Sequence, residues 1–177
     1  FLQHNADQPG GLMPLAIFNL SRGSLETALP LFKQAIAWDP HSPQLRQSYA
    51  TALSMAGDSP EAVRQLEAAC KTEPRNALLR YDLGLALGET GDLERARQAF
   101  KEAVAVEPLY ARAWYNLGLA ESKLNNTDGA IAALTAGGFP AGRVFKAPQK
   151  TTDIPGAMTA ADVLLTQHGD AKHWMVC

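Results

Sequence analysis

Residues 81–86 read YDLGLA and residues 115–120 read YNLGLA, almost the same six residues written 34 positions apart. A fixed period governs the reading of a whole chain, because each copy must build the same local structure against the same kind of neighbour. The step of 34 also links Pro40, Pro74 and Pro108, each preceded by an acidic residue, Asp39, Glu73 or Glu107. It links Ala28, Ala62, Ala96 and Ala130, and the small residues Ala16, Ala50, Gly84 and Gly118. Two apolar columns, Leu15, Tyr49, Leu83, Leu117 and Phe32, Leu66, Phe100, Leu134, keep the same spacing. Agreement in five columns marks an internal repeat.

The physical content of one unit is legible in residues 77–108. Leu79, Leu83, Ala86 and Leu87 fall at helical spacing, and after Gly91 and Asp92 a second helical set follows, Leu93, Ala96, Ala99, Phe100 and Ala103. Gly91 stands where a helix end takes a left-handed residue, and Asp92 is placed to cap the next helix. Gly84 and Ala96 are small because the backbones of crossing helices approach to about 8 to 10 Å. Pro108 opposes any continuation, since its ring and missing N–H disrupt a helix. Each unit is therefore expected to be an antiparallel helix pair. One pair alone cannot bury its apolar face, so the units stack into a curved superhelix with a concave surface.

The period, the WYNLG run from Trp114, the Ala followed by an aromatic or Leu in the second helix, and the closing Pro resemble the tetratricopeptide repeat family. That resemblance implies an all-α, right-handed α-solenoid of stacked helix-turn-helix units at residues 9–42, 43–76, 77–110 and 111–136, after an N-terminal remnant at 1–8. It further implies a non-catalytic protein-interaction or scaffold module that holds an extended or helical peptide segment on the concave face. Family members line that face with first-helix residues at fixed repeat positions. Carried over, one position gives Met13, Gln47, Tyr81 and Tyr115, and another gives Ile17, Thr51, Leu85 and Leu119. A third gives Gly10, Gln44, Leu78 and Arg112. Co-chaperones of this family grip a terminal carboxylate with Lys and Asn at such places; the Met, Gln, Tyr, Ile and Thr here do not support that clamp. Tyr81 and Tyr115 offer flat contact area of the kind found at binding hot spots, or else they finish the core. Arg112 meets an acidic ligand group or is simply solvated.

The ends depart from the pattern. Residues 9–11 place Pro and two glycines at a first turn and Pro14 lies further in, so the first helix is expected to start near Leu12 and to be short. The fourth unit fails at Gly137, and residues 137–158 are rich in Gly, Pro, Thr and Lys and read as loop. Thr159, Asp162 and the apolar pair Leu164 and Leu165 are enough for one short helix within 159–177. It either covers the open end of the stack or leaves Val144 and Phe145, or Trp174 to Val176, to fold back into the groove of this or a neighbouring molecule. A homo-oligomer built through this tail is the corresponding rival function.

Other chemistry finds little support. A formal charge of −2 with interspersed signs gives no footprint for nucleic acid. No apolar stretch approaches the roughly 18 residues of a membrane span. Phe1 in place of Met reads as a processed chain or a piece of a longer one. Cys70 and Cys177 form no CxxC, Cys70 reads as a small buried residue, and His4, His41, His168 and His173 lack a third ligand, so neither metal nor other cofactor is expected. Residues 137–144, GGFPAGRV, share the glycine spacing of a phosphate loop but have Arg143 and Val144 where Lys and Ser or Thr belong. NADQPGG, entering the first unit, resembles the junction of bacterial multihaem cytochromes with appended repeats, although no CxxCH occurs. Membership of a larger bacterial enzyme or cytochrome is therefore a second rival. The compartment, cytoplasmic or periplasmic, is open, as is the partner.

Overall fold

Four turns between consecutive helices are built on one backbone conformation: Gly23, Gly57, Gly91 and Asn125 have φ of 73°, 82°, 83° and 60°. Glycine adopts this left-handed state without steric cost, and Asn is among the few other residues that tolerate it. The following residue closes each helix, its N–H reaching back five residues: Asp58 to the Leu53 carbonyl at 2.9 Å, Asp92 to Leu87 at 3.0 Å, Asn126 to Glu121 at 2.9 Å. The same residue then opens the next helix. Asp58, Asp92 and Asn126 accept from the N–H groups of Glu61, Arg95 and Gly129 at 3.2, 3.2 and 3.1 Å, whereas Ser24 makes no such side-chain bond. Gly91 and Asp92 thus do what their order in the sequence predicts.

The structure, a computed structural model, describes residues 9–139. Among them are eight helices and no strand: α1 (Pro9–Ser21), α2 (Leu25–Trp38), α3 (Pro43–Met55), α4 (Ser59–Thr72), α5 (Ala77–Glu89), α6 (Leu93–Val106), α7 (Ala111–Lys123) and α8 (Thr127–Ala136). The expectations for residues 1–8, for most of the 137–158 loop and for a terminal helix and groove-filling tail lie outside the described residues. Each helix packs on its neighbours in the chain, and α1 also touches α3, and α3 touches α5. The result is a helical solenoid whose odd-numbered helices stand side by side along one face.

The repeated columns are the core. Ala28, Ala62, Ala96 and Ala130 are all fully buried, and Phe32, Leu66, Phe100 and Leu134 are buried beside them. A Cβ on Gly84 would lie 2.5 Å from the Phe100 ring, and one on Gly118 would lie 2.7 Å from Leu134 Cγ. The hexapeptide recurs because the same crossing of two helices is built twice. Between units, Pro40, Pro74 and Pro108 offer their carbonyls to the side chain six residues on. Arg46 and Arg80 donate two hydrogen bonds each, at 3.0 and 2.6 Å, and Trp114 Nε1 donates one at 2.8 Å.

The first helix corrects one expectation. It begins at Pro9 rather than near Leu12, and its 13 residues equal those of α3, α5 and α7. Pro9 supplies a preset φ and lacks only an N–H that a first turn leaves unpaired anyway. Pro14 sits in the second turn of α1 and Pro30 in that of α2, so each disturbs a single early carbonyl while the rest of the helix continues. Packing of Leu12 and Ala16, both buried, offsets the weak propensity of the two glycines.

Candidate functional site

On the face formed by the odd-numbered helices, adjacent units are joined by a polar link that repeats. Gln47 on α3 donates through Nε2 to Asp82 Oδ2 on α5 at 2.6 Å, and Asn116 Nδ2 on α7 donates to the Tyr81 hydroxyl on α5 at 3.2 Å. Both pairs span 35 residues, one more than the period, because the partners occupy neighbouring positions of successive first helices. Asn116 is 5% exposed, and a second bond to the Arg112 carbonyl at 3.1 Å holds its amide; its Oδ1 has no partner.

Aromatic rings surround this link. The Tyr81 ring lies 5.9 Å from that of Phe100 and 5.0 Å from that of Tyr110, and Tyr115 lies 5.4 Å from Phe139, all tilted. Such tilted contacts fix the rings and leave little rotamer freedom to lose on binding. The Tyr115 hydroxyl is buried without a partner. Burial pushes up the phenols of Tyr81 and Tyr115, and that of Tyr110 to about 12, with Tyr81 and Asp82 adding to the effect on Tyr110. Burial also raises Asp82, opposed by the Gln47 hydrogen bond.

Of the residues expected on this face, the structure brings Gln47, Tyr81 and Arg112 together around Asp82, Tyr110 and Asn116. Gln47, Tyr81 and Tyr115 are half-buried and Arg112 is exposed. Tyr81 and Tyr115 are partly buried and pack against the core. Ile17 and Leu78 are 42% and 47% exposed, and Thr51 is exposed with its hydroxyl on the Gln47 carbonyl at 3.1 Å. Met13 and Leu85 are half-buried against the core, while Leu119 is 5% exposed and belongs to the core itself. Asp82, Tyr110 and Asn116 were not legible as site residues. The signal that finds Asp82 and Asn116 is the polar column Ser48, Asp82, Asn116, one position after Gln47, Tyr81 and Tyr115; Tyr110 lies outside it.

A second polar centre lies elsewhere on α7. Glu121, 2% exposed, accepts from Lys101 Nζ at 3.0 Å and Asn126 Nδ2 at 2.8 Å, with Arg97 at 3.7 Å. Burial pushes its carboxyl up, but these partners outweigh burial and hold it below the usual range. This centre joins α6, α7 and the cap of α8. Among the described residues no group of three or more His, Cys, Asp or Glu is placed to hold a metal, and no helix is long and apolar enough to cross a membrane. Cys70 is a half-buried free thiol that burial keeps protonated.

Residues 19–81 and 81–142 each match a family model described as "Tetratricopeptide repeat". The chain is similar in structure to MamA, with a TM-score of 0.72 and 21% identity, over 77% of this chain and 80% of that one. It is also similar to YrrB, described as a TPR protein with an unusual peptide-binding site, with a TM-score of 0.69 and 19% identity, over 77% and 70% of the two chains. At these identities the likeness is one of fold. In sequence, 50 residues are 46% identical to the L-arabinose-binding periplasmic protein of Escherichia coli (strain K12), 28% of this chain and 15% of that protein.

Proposed function

We propose that this chain, which belongs to the tetratricopeptide repeat family, is a non-catalytic protein-interaction module whose odd-numbered helices hold a peptide segment of a partner. Each of the units 9–42, 43–76, 77–110 and 111–136 contributes its first helix to the groove. The observation that carries the reading is the preset cluster of Gln47, Tyr81, Asp82, Tyr110 and Asn116, joined across α3, α5 and α7 by hydrogen bonds and ring contacts. A rigid scaffold presenting aromatic and amide groups loses little entropy on binding, so a segment laid along it gains from each contact. The exposed Ile17 and Leu78 extend the surface with apolar area. Sugar binding is not carried over from the arabinose-binding relative, because the match spans 15% of that protein.

Selection of a random peptide library on the chain, followed by affinity measurement on variants, tests this. Selected peptides are expected to lose about tenfold or more on Tyr81→Ala, the typical cost of an anchor residue, and to be indifferent to Lys71→Ala on the exposed side of α4. Peptides that bind the folded Tyr81→Ala protein as well as the parent, or that respond to Lys71, place the interaction elsewhere.

A further inference from the structure

The chain holds two buried or half-buried carboxylates on its first helices, and they are treated differently. Glu121 is answered by Lys101, Arg97 and Asn126. Among the described residues Asp82 accepts from the neutral amide of Gln47 at 2.6 Å and forms no ion pair. Withdrawing a carboxylate from water without a cation is costly, and a protein that retains one leaves a place for an opposite charge. The groups around Asp82 suit that charge. Tyr81 and Tyr110 lie beside it with ring centroids 5.0 Å apart, and aromatic rings attract a cation electrostatically. The exposed Arg112 acts on Tyr81 and Tyr110 but is not among the groups that influence Asp82.

We infer that Asp82, Tyr81 and Tyr110 form a subsite for a lysine or arginine side chain of the bound segment, the carboxylate pairing with the cation and the rings flanking its stem. The subsite rests on the groove reading above and names the chemistry of its occupant.

The test is a series of terminally blocked pentapeptides with lysine, arginine, norleucine or glutamate at the centre, titrated into the full chain by NMR and calorimetry. The lysine and arginine peptides are expected to bind about tenfold more tightly than the norleucine peptide, the gain of one partly desolvated charge pair. Asp82→Asn, which keeps an oxygen for Gln47, should abolish that gain without unfolding the chain, while Arg112→Ala should keep or enlarge it. Affinity for the lysine peptide should rise with pH through the titration of Asp82, and affinity for norleucine should not. Equal binding of lysine and norleucine peptides, or a lysine preference that survives Asp82→Asn, overturns the subsite and leaves the groove reading standing. If no peptide binds saturably, the groove reading falls with it.

Discussion

Asp82 and Glu121 sit on neighbouring first helices and are both drawn into the protein, yet one is held by charge and the other is not. Around Glu121, α6 supplies Lys101 and Arg97 and the α8 cap supplies Asn126, so the carboxylate closes a structural joint. Around Asp82, α3 supplies an amide, and α5 and the residue capping α7 supply tyrosines. The polar groups around Glu121 satisfy its charge, whereas Asp82 is left with a neutral partner.

Substitution separates the two. Glu121→Ala is expected to cost about 2 kcal/mol in urea unfolding; this is below the usual 3–5 kcal/mol for a broken buried pair, because Lys101 and Arg97, 48% and 32% exposed, recover water. Tyr81→Phe should cost about 1 kcal/mol, the net worth of the Asn116 bond. Tyr115→Phe, which removes a buried unpaired hydroxyl, should be neutral or stabilising by up to about 1 kcal/mol. Asp82→Asn should change stability least, a gain of a few tenths of a kcal/mol at neutral pH.

The pH dependence has opposite signs at the two sites. Glu121 is lowered on folding, so its contribution is present above the unfolded value near 4.5 and disappears as pH falls through its folded value. Asp82 is raised on folding, so the folded state is favoured below the unfolded value near 3.8, and that advantage is lost as pH rises through the folded value. The stability difference between the parent and Glu121→Gln should therefore shrink on acidification. Relative to the parent, Asp82→Asn should gain as pH rises. Parallel curves for the two variants would mean that the carboxylates are equivalent after all.

The repeat was legible because packing imposes identical demands four times. Ala28, Ala62, Ala96 and Ala130 are all fully buried, and a Cβ at Gly84 or Gly118 would meet the side chain facing it. The groove was only partly legible. Gln47 to Asp82 and Asn116 to Tyr81 reuse one geometry with different chemistry, so no single residue type recurs there. Leu119 shares a column with exposed Ile17 yet lies in the core, since burial varies along the stack while the register stays constant. The start of α1 was misplaced because propensity favours Leu12, whereas tertiary packing sets the boundary. Glu121 carries no sequence signal, as its partners come from α6 and from the cap of α8 rather than from its own helix.

The bonds from Arg46, Arg80 and Trp114 to prolyl carbonyls six residues back bear on how the chain reaches this state. Closing so short a loop costs little entropy, and the bonds to the prolyl carbonyls tie each inter-unit corner to residues six positions apart. Corners of that kind form before distant segments have met, which favours rapid growth from any nucleated pair toward both ends. Arg46 and Arg80 clasp with two bonds where Trp114 uses one, and at that last corner the Glu121 joint between α6 and α7 supplies the further hold.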